Sequence, residues 1–256
     1  MTSYYNEIDP YAAQWLRNLI DAGHIAPGIV DERSIEDVTP TELAGYDQCH
    51  FFAGIGGWPL ALRQSGWGDS WPVWTGSCPC QPFATPGRGG GFADARHLWP
   101  AFGWHIRQCK PAIVFGEQVA SKDADAWIDL VQADVEAMGY ALGAIPFPAA
   151  GVGSNQIRDR LYWVAYAESN GWRQEHPHIG GRIARSGQEG DTSRSMPSRA
   201  FNWRHGLDGK RRPIESGIEP VVDAFPGLLE QLRAYGNAVN VDAACTFIEA
   251  VMETTA

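Results

Sequence analysis

No stretch of this 256-residue chain approaches the ~20 consecutive apolar residues that a membrane-spanning helix needs, so no membrane partner is expected. The opening residues MTSYYNEIDPY lack the charged-then-apolar pattern of a signal peptide. Cysteine is scarce. Five residues, an odd number without a repeated spacing, argue against a disulfide framework and for a reducing compartment. Basic residues are outnumbered 20 to 30, a net charge of -10 that looks hostile to nucleic acid. Internal repeats are missing as well. What is present is a 44% hydrophobic share, enough to bury a real core and to exclude wholesale disorder. The length fits one good-sized domain, or one domain with a small lobe. A soluble cytoplasmic protein is expected.

The charge is unevenly placed. Residues 168–219 hold nine Lys and Arg against seven acids, so that segment is +2 while the remainder is -12. A locally positive face on an acidic body is compatible with a phosphate backbone, because contact depends on local charge. A loop-rich segment carrying solubilising arginines accounts for the same composition.

Helical and strand patterns alternate along the rest. Pro10 to Ala22 places apolar residues at helical spacing, and GIVDE reads as a short strand. TPTELAGY reads as a capped helical turn, QCHFFAG as a buried strand, WPLALRQSG as a helix and PVWTGSC as a strand. FGWHIRQC and Ala124 to Met138 are helical, PAIVFGEQV and LYWVAYA are strands, and VDAACTFIEAVME is a closing amphipathic helix. The alternation predicts an α/β fold with a doubly wound, mainly parallel sheet. Residues 168–219, rich in Gly, Arg, Ser and His, break the rhythm and read as a small irregular lobe or functional insertion. The expected organisation is a main domain over 1–167, the lobe over 168–219, and a return to the main domain over 220–256.

Phe51-Phe52-Ala53-Gly54-Ile55-Gly56-Gly57 follows an apolar strand and opens a helix. Glycines there let the backbone turn tightly and approach a ligand, although packing alone also produces such turns. A nucleotide-like site needs a carboxylate on the neighbouring strand end, and nothing suitable lies about 20 residues downstream. Glu7 in YYNEIDPYA and Asp31 in GIVDERSI lie upstream instead. By themselves they read as surface charges.

Ser77-Cys78-Pro79-Cys80-Gln81-Pro82-Phe83 sits at a predicted strand end, where α/β sheets place their chemistry. A cysteine there could be a nucleophile, a zinc ligand or an inert buried thiol. No second pair completes a zinc site, so no metal is expected. The glycine-rich TPGRGGGFADARHLW that follows is of the sort that closes over a substrate. Glu117 ends the next predicted strand, and Gln156-Ile157-Arg158-Asp159-Arg160 offers two guanidiniums at alternate positions. A thiolate, a proton-donating carboxyl and paired arginines suit attack on an electron-poor ring whose carbonyl needs holding.

Together these residues resemble the DNA cytosine-5 methyltransferase family, in particular its compact bacteriophage members. FFAGIGG is similar to the family's cofactor turn, PCQPF to its nucleophile motif, and GEQV to its Glu-Asn-Val motif. QIRDR is similar to Gln-x-Arg-x-Arg, and Tyr235 to Val239 (YGNAV) to the final Gly-Asn motif. The resemblance covers residues 1–165 and about 217–256. It implies a Rossmann-like fold using S-adenosylmethionine, held by Glu7, Ile8, Asp31, Phe52, Ala53, Gly54, Ile55, Gly56, Gly57, Pro79, Asn237 and Ala238. Its catalytic residues would be Cys80, Glu117, Arg158 and Arg160. Residues 168–219 would read the target, residues 84–97 would close over a flipped cytosine, and the partner would be double-stranded DNA bound by a monomer. The host compartment would be a bacterial or phage-infected cytoplasm, in a restriction–modification setting.

Several departures accompany the resemblance. NEIDPYAAQWL and GIVDERSI resemble the ribose- and adenine-contacting motifs, yet both precede the glycine turn, as if strands 2 and 3 had been placed before strand 1. His50 stands where the family has Asp ahead of the glycine-turn Phe, Gln118 stands beside Glu117 where it has Asn, and IEPVVDAFPGLLEQLRA matches only loosely. The resemblance implies that Cys80 adds to cytosine C6, that Glu117 carries or shares a proton at N3, and that Arg160 holds O2 with Arg158 bracing the site. Three rivals remain at this point: a homologue adding a different group at C5, an RNA cytosine methyltransferase, and a non-catalytic DNA-binding protein.

Overall fold

The computed structural model describes residues 3–79, 98–120, 122–152, 159–167, 201–205, 211–215 and 238–254, with backbone alone for 122–124, 201–205 and 211–215. Strand β1 (Ser3–Asn6) leads into α1 (Pro10–Asp21), whose start is fixed by Asp9 accepting from the Tyr11 and Ala12 amides, with Pro10 at the first position. Next come β2 (Gly28–Asp31), the short α2 (Pro40–Leu43), β3 (Gln48–Phe51), α3 (Gly57–Gln64) and β4 (Val73–Gly76). Thr39 and Glu42 form the capping box of α2 that TPTEL predicts. Then follow α4 (Trp99–Cys109), β5 (Ile113–Val119), α5 (Lys122–Ala137), β6 (Tyr140–Pro148), β7 (Asp159–Ala167), β8 (Phe201–His205), β9 (Arg211–Glu215) and α6 (Val241–Thr254).

Seven strands form one sheet in the order β2-β1-β3-β4-β5-β7-β6. The first five are parallel, and β7 runs antiparallel between β5 and β6. This is a mixed, mostly parallel α/β sheet of Rossmann-like type, the class the alternating pattern predicts. Side chains alternate across it: Val114 joins the apolar cluster that includes Trp99 and Phe102 of α4, while Ile113 and Phe115 join the one containing Trp58 of α3 and Ile248 of α6. Both faces are therefore covered by helices. Strand β6, which the sequence pattern did not reveal, is an edge strand carrying Pro146 and Pro148, and its residues 143–146 are exposed. Proline cannot donate to a ladder, so it is tolerated there and obscures the strand signal.

The chain divides into two compact units, Met1–Gly181 with Glu230–Ala256, and Arg182–Leu229. In the second, the described residues form an antiparallel ladder of β8 and β9, with Phe201 opposite Glu215 and His205 opposite Arg211. No described helix is long and apolar enough to cross a membrane.

Candidate active site

Because β1 to β5 are parallel, their carboxyl ends share one edge, and the antiparallel β7 brings its amino end there. Glu7 follows β1, Asp31 ends β2, residues 52–57 follow β3, and Ser77-Cys78-Pro79 follow β4. Glu117 lies near the end of β5, and Arg160 near the start of β7.

The turn after β3 alternates left-handed positions: Phe52 at φ 52°, Gly54 at 56° and Gly56 at 85°. At Gly56 a Cβ would also meet Leu19 of α1 at 2.9 Å, so glycine serves both the turn and the packing there. Gly57 faces Val239 as closely, which seats the end of the YGNAV motif against the start of α3. The Gly54 amide donates to Glu7 Oε2 at 2.7 Å, and the Asp9 amide donates to Oε1 at 2.9 Å. Burial pushes the Glu7 carboxyl up, and the amides of Asp9 and Gly54 pull against that. The Ile8 amide also acts on the carboxylate, and its oxygens still keep acceptor positions, which suits a vicinal diol. Ile8, next to it, is 65% exposed, and Phe52 lies edge-on to Phe102 at 6.1 Å. An apolar side chain open to solvent beside such a carboxylate and a glycine turn fits the sugar and base of S-adenosylmethionine.

Asp31 is differently placed. Its Oδ1 accepts from the Arg33 amide at 2.9 Å and Arg33 Nε at 3.1 Å. Its Oδ2 accepts from Arg33 Nη2 at 2.7 Å, Arg33 Nε at 3.1 Å and the Tyr4 hydroxyl at 2.9 Å. Burial raises the carboxyl, but the Arg33 bonds and the Tyr4 hydroxyl outweigh it and hold it below its usual range. Sequence reading overlooked Tyr4 and Arg33. The two-residue step from Asp31 to Arg33 is the spacing at which an aspartate bonds its own backbone, and that was the available signal.

At the end of β4, the Trp58 indole donates to Ser77 Oγ at 2.9 Å, and the Gln118 side-chain amide donates to the Cys78 carbonyl at 3.5 Å. Cys78 is buried, and burial drives its thiol well above the ordinary range. A thiol held protonated in this way is not poised as a nucleophile, since the thiolate is the nucleophilic form. Pro79 is exposed beyond it. Cys80, Arg158, Asn237 and the 84–97 segment lie outside the described residues, as does residue range 168–200 of the expected lobe.

Glu117 and Arg160 meet at 2.7 Å between Oε1 and Nε, with side chains 10% and 20% exposed. In the β5–β7 register Glu117 faces Tyr162 and Val119 faces Arg160, so the two charged residues are diagonal neighbours on one face. Arg160 Nη1 also donates to the Asp159 carbonyl at 2.9 Å. His50 is fully buried between Thr75 Oγ1 at 2.9 Å and Gln48 Oε1 at 3.3 Å, and stacks on Tyr5 at 4.9 Å between centroids. Burial lowers its pKa to about 3, so it is a neutral strut inside the sheet. Among the described residues no cluster of His, Cys, Asp and Glu could hold a metal ion.

The model of the C-5 cytosine-specific DNA methylase family matches residues 69–200, half of the chain. The chain belongs to this family. A curated relative of this chain is the type II methyltransferase M.HhaI of Haemophilus parahaemolyticus, 24% identical over 169 residues. That match takes in 51% of this chain and 52% of the relative, so the chain spans about half the length of the curated relative it matches. Solved structures similar to the chain include DNMT2 of Spodoptera frugiperda, with 15% identity and a TM-score of 0.45 over 65% of this chain and 43% of that one. Another is the S. pombe Dnmt2 methyltransferase, with 14% identity and a TM-score of 0.37 over 65% and 51%. The methyl donor of the family is S-adenosylmethionine.

Proposed function

We propose that the chain methylates C5 of cytosine in double-stranded DNA through a covalent bond between Cys80 and C6. The observation that carries this reading is the Glu117–Arg160 pair at the shared strand edge, next to the β4 end from which the Cys80 segment departs. A carboxyl and a guanidinium on one face can engage N3 and O2 of a pyrimidine from the same side.

Bound S-adenosylmethionine would supply the electrophilic methyl group, held by the glycine turn, Glu7 and Ile8 with Phe52. The chain's own residues do the rest. The Cys80 thiolate adds to C6, and Glu117 protonates or shares a proton with N3 so that charge entering the ring is neutralised. Arg160 holds O2, and Arg158 braces the site. Once C5 carries the new group, a base removes the C5 proton, the C6–sulfur bond breaks and the thiolate is restored. The target base must leave the duplex first, at a cost of a few kcal/mol. The arginines of residues 168–219 would divide between phosphate contacts that position and base-edge contacts that specify.

The test is incubation with methyl-labelled S-adenosylmethionine and, side by side, random-sequence duplex DNA and tRNA, followed by mass spectrometry of the nucleosides. Label on C5 of deoxycytidine is the expected result. Label confined to cytidine of the tRNA, or no label in either, would overturn the DNA reading.

A further inference from the structure

We propose that Asp31 does not read the purine of the methyl donor, because Arg33 has already claimed its carboxylate; purine choice at the 6-position is therefore loose in this chain. The inference rests on the donor reading above. A donor whose reactive methyl lies at the β4 end and whose ribose lies on Glu7 must cross the strand ends in sheet order, from β4 past β3 to β1. The purine then falls at the end of β2, one strand spacing farther on, where Asp31 stands. The Glu7 amide donates to the Asp31 carbonyl at 3.0 Å, which fixes the two residues side by side.

A carboxylate offers about four acceptor positions. Those of Asp31 are taken by the Arg33 amide, the two nitrogens of the Arg33 fork and the Tyr4 hydroxyl. Arg33 is itself braced from the far side: Nη2 lies 3.0 Å from Glu42 Oε1, and Nη1 donates to the Asp37 carbonyl at 3.5 Å. Glu42 is in turn fixed by the Thr39 amide and hydroxyl, both at 2.8 Å. An incoming exocyclic amino group is neutral and brings one N–H to this carboxylate. It would have to displace charge-assisted, forked bonds that are roughly twice as strong as neutral ones. Glu7, whose protein donors are neutral backbone amides with no guanidinium among them, presents the opposite case.

The experiment is calorimetric titration of the full chain with S-adenosylhomocysteine and with its inosine counterpart, which carries a carbonyl in place of the 6-amino group. Wild type should bind the two within about threefold of each other. Arg33→Met frees the carboxylate, and preference for the adenine compound should then open to about tenfold or more, the scale of a hydrogen bond to a charged group. An adenine preference of about tenfold in wild type that survives Asp31→Asn comes from other groups and overturns the loose purine choice. A wild-type preference of about tenfold that collapses in Asp31→Asn overturns it, as does an Arg33→Met chain that gains no preference. Binding of neither compound would instead overturn the donor reading, a distinguishable failure.

Discussion

The Trp58 indole donates a 2.9 Å hydrogen bond to the Ser77 hydroxyl, tying the helix that follows the glycine turn to the segment leading to Cys80. Trp58 is buried and stacked on Phe115 at 5.9 Å, so its indole N–H is aimed by the core. From the next strand Gln118 reaches the carbonyl of Cys78, and two consecutive residues are thereby fixed from two elements. Trp58→Phe keeps an aromatic ring, loses the bond and leaves a small cavity. It should cost about 2 kcal/mol or more in chemical denaturation. If the tether aims the thiol, single-turnover methylation should slow by about 10- to 100-fold with donor binding unchanged. An unaltered rate would show that the tether has no part in aiming it.

The two cysteines of the motif should separate cleanly. Cys80→Ala should abolish turnover while duplex DNA still binds, because only the nucleophile is lost. Cys78→Ala should remain active, since that thiol is buried and held protonated. Alkylation by iodoacetamide, read by peptide mass spectrometry, should mark position 80 and spare position 78. An active Cys80→Ala protein would sink the covalent route.

Glu117→Gln preserves shape and removes the carboxyl that carries or shares the N3 proton. Methylation should slow by roughly 10²-fold or more, the usual scale of general-acid assistance. DNA affinity should be retained, so the loss belongs in kcat. A rate near wild type would dismiss the proton role.

His50 predicts a pH-dependent stability. Its folded pKa, near 3, lies below the ordinary value of 6.5, so between those limits the unfolded chain binds the extra proton. The stability it contributes is present above about pH 6.5 and is lost as pH falls toward 3. At pH 5 the deficit relative to pH 7 is about 2 kcal/mol. Urea denaturation of wild type and His50→Gln at both pH values should show a smaller drop in the variant. An identical drop would locate the titrating group elsewhere.

Much of the fold was readable along the chain. Helices α1, α3, α4, α5 and α6 fall where the apolar spacing places them, and the capping box at Thr39 and Glu42 is visible in four letters. Strand β6 was hidden by its prolines, and β1 is four residues long, too short to show a period. Glu117 and Arg160 were identified as separate candidates, and their meeting at 2.7 Å follows from the antiparallel β5–β7 pairing. Trp58 was not identified, because a core tryptophan and a tethering tryptophan look the same in one dimension.

The sequence by itself determined the element types, the family motifs and the residues able to do chemistry, because those depend on local periodicity and side-chain identity. Only the tertiary structure decided that Glu7 faces Gly54, 47 residues away, that Asp31 accepts from Tyr4 on the neighbouring strand, and that Cys78 is sealed in the core. The reason is physical. In a parallel sheet the neighbours of a strand end are set by strand order and register, and that order, β2-β1-β3-β4-β5, is a property of packing that no spacing along the chain encodes.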